Sequence, residues 1–491
     1  MLNYRMTAYI LGSIAVITAG LMLVPFLMTF GYGEDLTSTT LGFGVTIAIL
    51  LAAGVPCIVK KPTNMHITSS CGFITVALAW IMMSLVGALP LCISRVVPNY
   101  IDCFFEIVSG FTTTGATIMT NIDGAPQSIL FWRSMTHWIG GMGILVFAVA
   151  LLPKSSPAAV HLMKAEVPGP EFGRLVSKLR FTARILYCIY LALTVLEVIL
   201  LVASPKMNLF DAVLHAMSTA GTGGFSNRGL SIGYYDSVYI EVVVTVFMMM
   251  FAVNFNIFYF ILIGHVSTAL RNEEFRTMFL IYGVTALLIT ISLTTARIYE
   301  NFWVSLRYAA FQTASMMSTT GFTTTDFNSW PTICHALMVA VMFVGGSAGS
   351  TAGGMKVSRI LIGAKSASIN VKKANSPRGV FTVKLDGRPL SDDLRISVGN
   401  YFVAIFMLSI FSLIIISLAE GSRFDLTEIF SAVATCINNV GPGLGAFGPM
   451  YNFAELGYLS KIVLTLDMLM GRLEIVPILL LFYPKAWIPA K

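Results

Sequence analysis

The chain has 491 residues, of which 56% are hydrophobic and only 11% charged, with a formal net charge of +7. So many apolar runs of roughly 20 residues, the length that crosses a bilayer, exclude a single water-soluble core. Seven scattered cysteines without a CxxC pair point to neither a disulfide framework nor a zinc site, and the surplus of Lys and Arg reads as membrane orientation rather than nucleic-acid binding.

Taken in chain order, hydropathy predicts an all-α polytopic membrane protein with ten crossing helices. They lie near 7–30, 39–59, 68–94, 127–152, 181–204, 235–264, 276–296, 331–370 (broken), 397–419 and 456–483. The first run is too long for a signal-peptide apolar region and has no persuasive cleavage site, so it is expected as a mature helix. With the N-terminus inside, the inner segments hold 22 of the 31 Lys and Arg, including six from Lys154 to Arg184 and nine from Lys356 to Arg395. The acidic loop GYGEDLTST then falls outside, and the positive-inside rule selects cytoplasmic N- and C-termini.

After a two-helix segment (1–62), the chain divides into four similar units at 63–160, 161–270, 271–385 and 386–491. Each holds a glycine-centred stretch between apolar runs: GFTTTGATIM from Gly110, STAGTGGFSN from Ser218, STTGFTTTDF from Ser318 and NNVGPGLGAF from Asn438. Aligned on Gly115, Gly224, Gly321 and Gly441, they share a frame. Six residues earlier stand Ser109, Ser218, Ser315 and Thr435; thirteen earlier stand Asp102, Asp211, Tyr308 and Glu428. Repetition on this scale decides architecture.

Each unit reads as a membrane helix, a short helix of ten to fifteen residues, a glycine turn and a second membrane helix. The short helix cannot span, so it must re-enter, and its acidic start suits the positive end of a helix dipole. Irregular backbone at membrane depth is tolerated only in protein or beside a wet cavity. Four such turns about one axis would aim carbonyl oxygens at a common line, as in a potassium filter. The candidate ion-binding residues are therefore Thr113, Thr114 and Gly115; Thr222, Gly223 and Gly224; Thr319, Thr320 and Gly321; and Asn439, Val440 and Gly441. Gly/Thr clusters are also common as helix-packing contacts, but four in one register favour the filter.

The stretches SGFTTTGAT, TGGFS, STTGFTTTDF and NNVGPGLG resemble the four pore loops of Trk/Ktr potassium-uptake subunits, relatives of plant and fungal Trk/HKT transporters. GGSAGSTAGGMKVSR (Gly345–Arg359), MGRLEIVP (Met470–Pro477) and FWRSMTHWIGGMGI (Phe131–Ile144) resemble further marks of that family. The resemblance runs from about residue 68 onward, and the two extra N-terminal helices resemble its Trk branch. It implies pseudo-fourfold units around one pore, a homodimer in a bacterial plasma membrane, and a cytosolic ring of nucleotide- and NAD-binding regulatory subunits. Potassium would be the transported ion. No organic cofactor is expected in this chain, which lacks both GxxxxGK[ST] and a strand-borne GxGxxG. Relatives that carry sodium often have serine at the first filter glycine, so Gly115 favours potassium. Ala116 stands where the next two units have Phe225 and Phe322 and the fourth has Pro442, so packing behind the filter is expected to be unequal.

The candidate gate is a loop at 345–356. Gly345, Gly346, Gly349, Gly353 and Gly354 are expected to keep it flexible, since each glycine costs about 1 kcal/mol in a helix, and Lys356 follows. Arg472, inside an apolar run, is the second gate element, with Asp467 and Glu474 as expected partners. Gly345–Gly349 also matches G-x-S-x-G, but the motif needs a strand-to-helix turn, so no enzyme is expected. Ion-coupled symport is the alternative to a gated channel. It would favour inverted repeats, whereas the four units run in one direction.

Overall fold

The computed structural model describes residues 3–62, 68–143, 179–376 and 378–487. Among them, six helices are long and apolar enough to cross a membrane: Tyr4–Gly31, Leu36–Val59, Ser69–Ile93, Ala183–Val202, Glu273–Thr295 and Asp392–Glu420. A pair, Val238–Ala252 and Phe255–Leu262, bent by 95°, makes a seventh if taken as one broken span. Their outward faces are apolar. On Asp392–Glu420, Val403, Phe406, Phe411, Ile414 and Leu418 are all exposed, the pattern of a surface solvated by lipid tails. The loop after the first helix is polar; the Thr37 backbone N–H, then the Thr37 and Ser38 hydroxyls, hold the Asp35 carboxyl below its usual range.

The four short helices are Tyr100–Phe111, Leu209–Gly221, Phe302–Met317 and Leu426–Ile437. Each starts at a polar N-cap, the residue type that satisfies free backbone N–H groups at a helix start. Asn99 accepts from Ile101, Asn208 from Asp211 and Asn301 from Val304, while Asp425 and Glu428 form a capping box. Three of these caps stand sixteen residues before the filter glycine. The third helix begins a turn earlier, at Phe302, so Tyr308 lies beyond its first turn. That is why the acidic column has a tyrosine there: position 308 no longer meets the positive end of the helix.

The second membrane helix of each unit is the main departure from expectation. One broken helix was expected, at 331–370. Instead the inner helices Gln127–Gly141, Val238–Ala252, Thr332–Val344 and Tyr458–Arg472 all stop after 13 to 15 residues. The expected continuous helices at 235–264 and 456–483 are thus each two pieces. In the fourth unit the chain turns through Glu474 at φ +58° and Ile475 at +69° before resuming at Val476–Leu481. A β-branched residue at positive φ is a strained outlier, and strain persists where surrounding structure enforces it. The remainder of the expected helix 127–152, from 144, and most of the basic segment from Lys154 to Arg184 lie outside the described residues.

Between the third and fourth units a two-stranded hairpin pairs Lys384–Leu385 with Arg388–Pro389. Its Asp386 carboxylate accepts from Asn272 Nδ2 at 2.8 Å and from the Glu273 backbone N–H at 2.7 Å. The hairpin is thereby tied to the start of the helix Glu273–Thr295.

Candidate ion filter and gate

Each short helix ends in a segment with one backbone alternation. Thr113, Thr222, Thr319 and Asn439 all stand at φ +55°; two residues on, Gly115, Gly224, Gly321 and Gly441 stand at +81°, +78°, +82° and +103°. Thr114, Gly223, Thr320 and Val440 between them do not take positive φ. Such alternation turns successive peptide planes so that their carbonyls share one side. A left-handed residue with a side chain costs roughly 1–2 kcal/mol, so its recurrence at four matched positions marks a functional constraint.

The serine and threonine column has a local cause. The residue preceding each filter glycine donates its N–H to the carbonyl six residues before that glycine. The bonds are Thr114 to Ser109, Gly223 to Ser218, Thr320 to Ser315 and Val440 to Thr435, each 2.9 Å. A small side chain there lets the segment fold back onto its own helix end.

The segments close into a ring. A Cβ added to Gly115 would lie 2.0 Å from Gly223 O, and one on Gly224 would lie 2.1 Å from Thr320 O. One on Gly321 would lie 2.1 Å from Val440 O, and one on Gly441 2.7 Å from Thr114 O. All four are below any normal contact. Unit one abuts two, two abuts three, three abuts four, and four returns to one. Asn439 Nδ2 reinforces that last junction by donating to Thr114 Oγ1 at 2.9 Å. Behind the ring Ala116, Phe225 and Phe322 are all buried despite their difference in size.

The loop at 345–356 lies against this ring, and the expectation of a slack, glycine-rich segment is corrected. Gly345 and Gly354 stand at φ +68° and +77°, and a Cβ on Gly345 would meet Gly353 O at 2.4 Å. Glycine here permits two backbones to touch. Gly353 N donates to Thr319 Oγ1 at 2.6 Å and Gly354 N to Asn438 O at 3.0 Å. Ser347 N donates to Ala252 O at 2.9 Å, and Gly349 O accepts from Phe255 N at 3.1 Å. Val357 N closes the loop on Gly346 O at 3.0 Å. Lys356, buried and at φ +75°, turns its Nζ to Ala352 O.

Arg472 ends the inner helix of the fourth unit. Its Nη1 donates to Thr351 O at 2.7 Å, and its Nη2 to Gly140 O at 2.6 Å and Gly141 O at 2.8 Å. The guanidinium thus joins the loop to the point where the first inner helix stops. The expected carboxylate partners are engaged elsewhere. Asp467 accepts from Ser412 Oγ at 2.8 Å, and Glu474 pairs with Arg359 at 2.6 Å. Backbone carbonyls freed by a broken helix are strong acceptors, and they hold the charge.

Two features escaped the sequence. Buried Glu274 accepts from Ala348 N at 2.7 Å and Ser358 N at 3.1 Å, clamping the loop from within and just past its end. Glu106 and Arg133, almost wholly buried, form an ion pair at 2.7 Å beside the first filter segment. An acid and a base inside apolar helices were the available signal for the second. Glu274 gave none, because an acid in the first turn of a helix is ordinary. Ser347, centre of the G-x-S-x-G lookalike, points its hydroxyl at Met278 Sδ, 3.4 Å away.

A family model described as a cation transport protein (TrkH) matches residues 40–488, extending the resemblance toward the N-terminus from residue 68. Over 99% of this chain and 100% of theirs, it is 35% identical to the Trk system potassium uptake proteins TrkH of Salmonella typhimurium and Escherichia coli. It is 31% identical to TrkG of Escherichia coli over 99% of each chain. The crystal structure of the potassium transporter TrkH from Vibrio parahaemolyticus aligns with a TM-score of 0.88 at 33% identity, covering 99% of this chain and 100% of that one.

Proposed function

The chain belongs to the TrkH family of cation transport proteins, and on that premise we propose that it takes up potassium through the ring of four glycine segments. It is a transporter subunit, not an enzyme. The observation that carries the proposal is the closed ring at Gly115, Gly224, Gly321 and Gly441, four left-handed glycines each against a carbonyl of the next unit. Residues 113–115, 222–224, 319–321 and 439–441 would supply carbonyl oxygens in place of the ion's water shell. The division into 1–62, 63–160, 161–270, 271–385 and 386–491 is part of this proposal.

The loop at 345–356 and Arg472 form the gate. A fixed charge about 4 Å from a passing cation costs roughly 4 kcal/mol at an effective dielectric of 20. That slows passage by about a thousandfold, each 1.36 kcal/mol being a factor of ten. A cytosolic ring of nucleotide-binding regulatory subunits would withdraw this obstruction, and the subunit would work as a homodimer in the bacterial plasma membrane with both termini inside. The basic residues concentrated from Lys356 to Arg395 support that orientation.

The test is tracer uptake into liposomes holding the purified protein, with potassium, rubidium and sodium compared with and without an imposed proton or sodium gradient. Potassium and rubidium flux well above sodium is expected. Equal flux of all three ions would overturn the filter assignment, and strict dependence on the second gradient would replace the channel with a symporter.

A further inference from the structure

Nine residues before the filter glycine, the four short helices carry Glu106, His215, Gln312 and Ala432. The first three reach the strand just beyond their own filter segment. Glu106 accepts from Ile118 N at 2.9 Å and from Thr117 Oγ1 at 3.0 Å. His215 Nε2 pairs with Ser226 Oγ at 2.9 Å, and Gln312 Nε2 donates to Thr324 Oγ1 at 3.4 Å. Ala432 has no polar group, and Ser431 beside it takes over, accepting from Leu444 N at 2.9 Å. The braces therefore differ in strength around the ring, and only the first is ionic.

That ionic brace stands where the wedge of side chain behind the filter is smallest. Phe225, Phe322 and Pro442 follow the other three glycines, but Ala116 follows Gly115. Arg133, from the first inner helix, compensates on two sides. Its Nε donates to Glu106 Oε1 at 2.8 Å and its Nη2 to Thr117 Oγ1 at 3.3 Å. Its guanidinium lies 4.0 Å from the centroid of the Phe225 ring, and its Nη1 reaches Ser226 O at 3.4 Å. One turn along, His137 packs on the other contact of that ring with centroids 4.1 Å apart and meets Gly110 O at 2.7 Å. Arg133 thus holds the strand after the first filter segment and the residue after the second at once.

We infer that Glu106, held by Arg133, is a positioning residue for ion selection: it fixes the first filter segment and, through Phe225, its spacing from the second. The inference rests on the ring being the ion filter. A carbonyl ring discriminates against a smaller ion only if it resists closing around it, whether size or ligand field dominates. A buried, charge-assisted hydrogen-bond set is the stiffest brace available where no aromatic wedge exists.

The experiment compares potassium and sodium tracer flux into liposomes for the parent, Glu106→Gln, Thr117→Val and, as a filter control, Gly115→Ser. Glu106→Gln keeps the shape but removes the charge, and should lower the potassium-to-sodium ratio about tenfold, the scale of one lost charged hydrogen bond. Thr117→Val leaves the ion pair intact while removing the hydroxyl that touches both partners, and should lower the ratio severalfold. It decides alone if Glu106→Gln does not yield folded protein. A shift in Gly115→Ser with no shift in either brace variant would overturn the inference and leave the filter standing. No shift in any of the three would remove both. Lower total flux at an unchanged ratio also overturns it, because that is what a merely structural role produces.

Discussion

Gly353 of the intramembrane loop donates its amide N–H to the hydroxyl of Thr319, 2.6 Å away in the third filter segment. The loop is therefore not remote from the ring. Its backbone shares a hydrogen bond with a residue whose φ of +55° sets the backbone alternation, and a second with Asn438 O just before the fourth segment, so motion of the loop and geometry of the ring are joined.

The first prediction concerns the ring itself. Gly115→Ser places a Cβ 2.0 Å from Gly223 O in the parent geometry, at a φ of +81° that disfavours any side chain. The first and second segments must separate. Potassium-over-sodium preference should fall at least about tenfold, the effect of ~1.4 kcal/mol, in tracer flux from liposomes. An unchanged preference would remove Gly115 from the filter.

The second concerns Arg472. Arg472→Ala deletes three bonds to carbonyls of Thr351, Gly140 and Gly141. Charged hydrogen bonds contribute about 1.5–3 kcal/mol each. Basal rubidium flux without any regulatory partner should rise by about tenfold or more. Deleting part of 345–354 should raise it further, because the path also opens sterically, with selectivity kept in both. Flux equal to the parent in both folded variants would place the gate elsewhere.

Glu274→Gln is the third. The carboxylate clamps Ala348 N within the loop and Ser358 N just past its end. An amide keeps one acceptor oxygen but weakens both bonds, so basal rubidium flux should rise severalfold, less than for Arg472→Ala. Hydrogen exchange should speed up at residues 347–358 and not at the filter. Protection unchanged in that segment would dismiss the clamp.

Orientation gives the fourth. Leu36, 61% exposed at the start of the span Leu36–Val59, and Ser376, exposed after the helix Val357–Asn375, lie on opposite sides if both termini are inside. In a background without cysteine, Leu36→Cys should react with a membrane-impermeant thiol reagent on intact cells and Ser376→Cys should not. The opposite pattern would invert the whole chain.

The ring of four glycine segments was legible in the sequence because its causes are local. A glycine at positive φ, a small residue six positions back and an N-cap at sixteen recur in register, and three of the four caps keep their spacing. The breaks at Ala252 and Arg472 were not legible. MMMFAVNFNIFYF is apolar but for Asn254 and Asn256; Asn254 caps the second piece, and the bend is held because Phe255 N and Ala252 O bond to Gly349 and Ser347 of a loop nearly a hundred residues away. Arg472 was legible as unusual, but not its partners. Carboxylates near in sequence suggested an ion pair, while the acceptors come from the loop at Thr351 and from the helix end at Gly140 and Gly141. Such acceptors carry no residue-type signature, since every residue has a carbonyl.

The unequal braces have a consequence for how such a pore can change over time. In a channel assembled from four copies of one subunit, a substitution alters every wall together, and a modest local fault is multiplied by four. Here Glu106, His215, Gln312 and Ala432 sit at matched places on one polypeptide, so each wall can vary by itself while three hold the shape. Fusion of the walls into one chain makes tuning in quarter steps available.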